Sequence, residues 1–267
     1  MLDRLSPPDR AKLAAAYHAL QFVEDGMQVG LGTGSTARWL VRLLEAERHL
    51  FGLSVEGVPT SSETEALATT LGLKVIGLDS ASWLDLTIDG ADEVDAELNL
   101  IKGAGGALLQ EKIVAVASDR LIVIADDTKV VPGLGAAPLP VEVVRFGADV
   151  TRGIIEDLLS EQTVARRETR WRERAGARLV TDEGHYLLDL ELDAIGDAHA
   201  LSDELLAVPG VVETGLFLDC TDTVVIGAPS GEARFLFADD DPRSGDVEDQ
   251  ARFDALLTRM IEVGDGE

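Results

Sequence analysis

Met27-Gln28-Val29-Gly30-Leu31-Gly32-Thr33-Gly34-Ser35-Thr36 packs a strand, a glycine-rich turn and a helix start into ten residues. Residues 27–31 read as a short strand. Ala37, Leu40, Val41 and Leu44 then recur at helical spacing over about residues 36–47. Glycines in the turn let the backbone approach an anion closely. The hydroxyls and free N–H groups at the helix start can bind phosphate or sugar oxygens. A dinucleotide-binding turn has the spacing G-x-G-x-x-G and an acid at the end of the next strand. Here the third glycine comes one residue early, residues 53–58 run into Pro59-Thr60-Ser61-Ser62, and no P-loop lysine follows. The turn is therefore an anion loop or a tight strand-to-helix connection.

The same rhythm extends to both sides. Residues 6–23 read as a helix with Ser6 as N-cap and Pro7 in the first turn. Residues 53–58 form the next strand, and Ser62 with Glu65 makes a capping box for a helix ending near Leu71. Residues 73–78 and 84–88 read as the third and fourth strands, 107–118 as a buried helix and 121–125 as a further strand. Alternation of this kind predicts an α/β fold with a mostly parallel sheet. After Pro138 and Pro140 the order changes to strand 141–146, helix 154–159, strands 163–170 and 186–192, helix 203–208 and strand 211–218, a ferredoxin-like α+β unit. The basic tract 166–178 reads as a solvated hairpin tip, ahead of a salt-bridging contact with an acidic neighbouring subunit. Residues 223–226 return to the first sheet, 238–249 form an acidic loop, and 247–263 an amphipathic helix. The expected division is a Rossmann-like domain of residues 1–134 and 221–267 and a small domain of residues 135–220.

Composition narrows the function. The chain has 267 residues, 46% of them hydrophobic, and a formal charge of −26. Such a field repels nucleic acid, so no nucleic-acid partner is expected. No stretch approaches the roughly 18 apolar residues of a membrane span. No basic start followed by an apolar run marks a signal peptide, so a cytoplasmic location is expected. Cys220 is the single cysteine, and His18, His49, His185 and His199 fall at no metal-ligand spacing. Five lysines (Lys12, Lys74, Lys102, Lys112, Lys129) stand against 18 arginines. An acidic, lysine-poor surface suits concentrated salt, which screens self-repulsion, so a halophilic source is expected.

Three further segments carry chemistry. Asp89-Gly90-Ala91-Asp92-Glu93 follows a buried strand, which puts its acids at the carboxyl edge of a parallel sheet, where such folds bind ligands. Those acids can hold a metal, handle sugar hydroxyls and pass protons, or cap a helix. They lack metal-ligand companions, so no metal is expected. Lys102-Gly103-Ala104-Gly105-Gly106 offers close backbone approach and a cation. Glu111 follows it, with Ala107, Leu108, Val114 and Ala115 as its helical neighbours. A carboxylate on that stripe is costly unless it is a general base or pairs with a nearby lysine. Burial raises the pKa of such a group and a helix N-terminus lowers it. Lys129, in Ala125-Asp126-Asp127-Thr128-Lys129, reaches a phosphate at the same edge or is a solvated loop lysine.

Taken together with Pro138-Leu139-Pro140-Val141-Glu142-Val143 and Pro209-Gly210-Val211-Val212 through Gly215-Leu216-Phe217, these segments resemble the ribose-5-phosphate isomerase A family over about residues 5–231. The resemblance implies an aldose–ketose isomerase acting on ribose 5-phosphate and ribulose 5-phosphate through an enediolate. It implies no cofactor and a homodimer or homotetramer. By position, Glu111 matches the catalytic base, and Asp89, Asp92 and Lys102 match residues that handle the sugar hydroxyls and ring opening. Thr33, Gly34, Ser35, Thr36, Asp89, Gly90, Ala91, Asp92, Lys102, Gly103, Ala104, Gly105 and Lys129 match substrate-binding positions. Ala104 stands where a glycine is usual, and Gln110 where an arginine is usual. The hairpin near 166–175 is extended, and residues from about 238 run past the usual ending. A sugar-phosphate deaminase or lactonase is the alternative enzyme, disfavoured by the 102–111 block. A sugar-phosphate-sensing regulator needs a DNA-binding helix pair that the sequence lacks.

Overall fold

Val29 and Leu31 enter one apolar layer with Leu86, Ile88, Ile122, Ile124 and Val225, while an added Cβ on Gly30 would meet Thr87 and Val114. This alternation is the two-residue period of a strand whose faces are both covered. The computed structural model describes residues 5–238 and 250–264. It divides into two units: Met1–Gly90, Ile113–Asp127 and Thr221–Glu267, and Ala91–Lys112 with Thr128–Cys220. Residues 91–112 and 128–134 thus group with the smaller unit, whereas the sequence places them in the larger. Strand pairing is the reason: Glu93–Val94, Leu100–Ile101 and Leu216–Phe217 form one small antiparallel sheet, and Val94 bridges Val130.

The larger unit is an α/β fold on a seven-stranded sheet. Its order is Ala233–Phe237, Thr223–Gly227, Leu121–Asp126, Leu86–Gly90, Gln28–Leu31, Glu56–Pro59, Lys74–Val75. All pairs are parallel except the first, an antiparallel edge that the sequence did not announce. Helices Pro7–Ala19, Ala37–Phe51 and Gln250–Gly264 bury Leu13, Leu40, Leu44, Phe253 and Leu256 on one side. Val58, Leu84 and Val114 form a second cluster. Residues 32–36, 60–61, 89–90 and 126–127 follow or end parallel strands and so gather at their carboxyl edge.

Three local expectations change. The cap of helix Ser62–Thr70 is Ser61, whose hydroxyl accepts from Thr64 N at 3.1 Å; Ser62 is the first helical residue. The third strand shrinks to Lys74–Val75, because it pairs only with residues 56–57 and a helical turn, Leu78–Ala81, follows. Helix Leu108–Val116 is buried on one side only: Ile113 and Val116 are 46% and 60% exposed. Of the acidic loop expected over 238–249, residues 239–249 lie outside the described residues. No described helix is long and apolar enough to cross a membrane.

In the smaller unit, Leu139–Val143, Ala148–Glu161, Glu168–Trp171, Tyr186–Glu191, Ala198–Leu206 and Val211–Thr214 run strand-helix-strand twice. The sheet is antiparallel, with the fourth strand beside the first and the third beside the second, as in ferredoxin-like folds. The 166–178 tract is part sheet edge, Glu168–Trp171, and part hairpin, where Glu173–Arg174 pairs with Ala177–Arg178 and residues 173–177 form the exposed tip that the sequence predicts. Arg170 pairs with Glu191 at 3.2 Å, and Arg178 pairs with Asp149 at 2.7 Å and lies 4.5 Å over the buried Trp171 ring. The neighbouring strand and helix supply the acids.

Candidate active site

In the larger unit the glycine-rich turn is fastened from beneath. Asp89, 1% exposed, accepts through Oδ1 from Thr33 N at 3.0 Å and from Gly90 N at 2.7 Å. Gly32 makes this approach possible: a Cβ there would stand 2.2 Å from Asp89 Oδ1 and 2.5 Å from its Cα. Gly34 takes a left-handed φ of 101°, the freedom that only glycine has at low cost. Thr33 proves to be a buried anchor. Its hydroxyl meets Thr60 Oγ1 and Ser61 Oγ at 2.8 Å each and Thr64 Oγ1 at 3.3 Å. Ser35 is exposed, Gly34 and Thr36 are half-buried, and no side chain caps helix Ala37–Phe51. Such a helix start presents N–H groups and the positive end of the helix dipole. It suits a phosphate or sugar oxygen, whereas Asp89 mainly holds the turn in place.

In the smaller unit a second group forms around a hairpin. Asp92 N donates to Ile101 O at 2.8 Å, and Lys102 N to Gly215 O at 2.9 Å. Asp92 Oδ2 accepts from Ala104 N at 2.8 Å. Gly103 has φ 103°, and a Cβ on it would stand 2.9 Å from both Leu108 Cβ and Pro140 Cγ, so glycine is required there. Ala104 and Gly105 are exposed. Lys102 and Glu111 are both buried, with Lys102 Nζ 3.4 Å from Glu111 Oε2. Lys102 Nζ also lies 5.4 Å over the Phe217 ring. Ala91 is half-buried, and so is Lys129, which ends the helical turn Asp127–Lys129 and forms no ion pair among the described residues.

A neighbour of Glu111 was counted in the sequence but given no role. Lys112 Nζ donates to Glu213 Oε1 at 2.7 Å, Thr214 O at 2.9 Å and Leu216 O at 2.8 Å, and lies 4.8 Å over the Phe217 ring. Burial pushes its pKa down, and the Glu213 carboxylate opposes that. Lys112 ties the helical turn that carries Glu111 to the strand that carries Phe217. Its signal was present in the run Glu111-Lys112 and in the scarcity of lysine, but its partners lie about a hundred residues away. Gln110, in place of the arginine usual in the resembled family, donates to Glu183 at 2.6 Å.

The smaller unit provides a buried carboxylate with an ammonium beside it and a glycine-rich turn exposed at Ala104 and Gly105, and the larger unit by itself provides an uncapped helix start. The first group suits proton transfer next to a carbonyl, and the second suits an anionic oxygen. Comparison with known proteins points the same way. The family model for ribose 5-phosphate isomerase A (phosphoriboisomerase A) matches residues 56–231. The ribose-5-phosphate isomerase A of Ruegeria sp. is 55% identical over 232 residues, 87% of this chain and 88% of that protein. The solved ribose 5-phosphate isomerase of Plasmodium falciparum superposes with a TM-score of 0.81 at 36% identity, over 86% of this chain and 99% of that one. A D-ribose-5-phosphate isomerase solved in complex with phospho-erythronic acid gives 0.79 at 35% identity, over 88% of this chain and 100% of that one. At this identity and coverage, the chain belongs to the ribose 5-phosphate isomerase A family.

Proposed function

We infer that this enzyme interconverts D-ribose 5-phosphate and D-ribulose 5-phosphate, using its own side chains and no cofactor. The observation that carries the reading is the buried pair Lys102–Glu111, 3.4 Å apart at the end of a glycine-rich turn. On the open-chain aldose, Glu111 removes the proton from C2. The electron pair moves into the C1–C2 bond and onto the carbonyl oxygen, giving an enediolate. The O2 proton passes to O1, Glu111 returns its proton to C1, and the carbonyl re-forms at C2. Lys102 and the amides of residues 103–105 stabilise the oxyanion. Asp92 and Asp89 handle hydroxyl protons and ring opening. Residues 34–36 and Lys129 hold the substrate, on a turn that Thr33 anchors from beneath.

The test is conversion of ribose 5-phosphate in heavy water with a chelator present, followed by nuclear magnetic resonance. The wild-type chain is expected to build the ketose and place solvent deuterium on C1. Glu111→Gln is expected to lower kcat about 10²–10⁴-fold with KM little changed. A near-wild-type kcat for Glu111→Gln overturns the assignment of the base.

The same reading takes the chain to be a cytoplasmic homodimer or homotetramer, which light scattering on the purified protein tests. Its charge of −26 with five lysines supports adaptation to concentrated salt. Equal activity and melting temperature with and without molar KCl count against that adaptation.

A further inference from the structure

Arg172 sits between strands Glu168–Trp171 and Glu173–Arg174, in the tract that the sequence marks as a surface hairpin. Its side chain is only 17% exposed, and that of Asp189, on the adjacent strand, 7%. The guanidinium grips Asp189 with two donors, Nη2 to Oδ1 and Nε to Oδ2 at 3.0 Å. The remaining nitrogen, Nη1, reaches the active-site turn and donates to Gly103 O at 2.7 Å and to Ala104 O at 3.0 Å. One rigid fork therefore joins a buried carboxylate to two consecutive carbonyls of the turn that begins at Lys102.

The consequence follows from peptide geometry. In a planar trans peptide the C=O and the following N–H point in opposite directions. With the Gly103 and Ala104 carbonyls turned to Arg172, the N–H groups of Ala104 and Gly105 are both turned away from it. For Ala104 the observed partner agrees, since its N–H reaches Asp92 Oδ2 at 2.8 Å. The Gly103 carbonyl also accepts from Gly106 N at 3.0 Å, which closes the turn around the same orientation. The turn is exposed at Ala104 and Gly105, and its own Gly106 N–H restrains the 103–104 peptide plane but not the 104–105 plane.

We propose that Arg172, clamped by Asp189, is a positioning residue for the reaction: it orients the 103–104 and 104–105 peptide planes so that the Gly105 amide and the Asp92–Ala104 contact are preset for the sugar oxygens. The inference rests on the isomerase reading above. It predicts a defect in kcat more than in KM, because misaligned donors cost most where charge develops.

The decisive variant is Arg172→Gln with Asp189→Asn, which removes the fork and leaves no uncompensated buried charge. Its kcat on ribose 5-phosphate is expected to fall about 10–100-fold, with KM changed little and a melting temperature close to wild type. Arg172→Lys is expected to show the same kcat loss, because a single nitrogen cannot span the carboxylate and both carbonyls. A double variant that melts like wild type and keeps its kcat overturns the proposal, as does full kcat in Arg172→Lys. Should the double variant fail to fold, Arg172→Ala with millimolar guanidinium decides. An open pocket of about 600 Å³ beside Trp171 and Arg172 admits that ion. Recovery of kcat supports the proposal, and recovery of melting temperature without kcat overturns it. A wild-type chain that does not turn over ribose 5-phosphate sinks the isomerase reading instead, whatever the variants do.

Discussion

Removing one member of the Lys102–Glu111 pair should damage folding and turnover by separable amounts. The two charges lie 3.4 Å apart, and both side chains are at most 4% exposed. At an effective dielectric of about 20 their attraction is about 5 kcal/mol. Desolvation of both groups offsets much of that, so the pair adds little over a neutral pair of the same shape. Taking away one partner removes the opposite charge from beside the other while it stays buried, at about 3–5 kcal/mol. Glu111→Gln and Lys102→Met should therefore each lower the melting temperature by roughly 10 °C in a chain of this size. The double variant should melt within a few degrees of wild type. Activity follows another rule: under the proposed roles the double variant lacks both the base and the oxyanion cation, and it should be at least as slow as Glu111→Gln. Calorimetry and steady-state assays on the four proteins complete the cycle. Additive stability losses, with the double variant worse than either single one, would refute the view that these charges compensate each other.

Gly32→Ala forces a Cβ against Asp89 Oδ1 and Cα. The turn must lift, and the loss of several kcal/mol should come with weakened ribose 5-phosphate binding, visible as a raised KM. Glu142 is 1% exposed and bonded to Thr181 and His185, and burial raises its carboxyl pKa above the ordinary carboxylate range. The folded state thus holds this proton more tightly than the unfolded chain does. Stability from this group is full below the unfolded pKa and is lost as pH rises through the higher folded one. Glu142→Gln removes that loss, so its melting temperature relative to wild type should climb as pH rises through this interval. A flat or falling difference contradicts the assignment.

Much of the scaffold could be read along the chain because its signals are local. Val29 and Leu31 alternate with Gly30, and the strands and helices of the second unit follow each other in ferredoxin-like order. Elements at the margins were harder to read. The antiparallel edge Ala233–Phe237 and the two-residue strand Lys74–Val75 each pair on one side only, so their burial patterns are weak. Ser61 and Ser62 are equivalent as letters. Only in the fold does Ser61 show itself as the cap, its hydroxyl accepting from Thr64 N and meeting the Thr33 hydroxyl from 28 residues away. The same division holds at the site. Glu111 stood out because a carboxylate on an apolar stripe is costly. Lys112 and Arg172 did not, since their roles depend on carbonyls and carboxylates that folding brings from 17 to 104 residues away.

The contrast between the buried Lys102 and the exposed Lys74 offers a handle for amine chemistry. A reagent that acylates accessible amines should modify Lys74 early and Lys102 only when the hairpin opens. With five lysines to follow, mass spectrometry can read the rate at Lys102 as the frequency with which the glycine-rich turn at 102–106 comes apart.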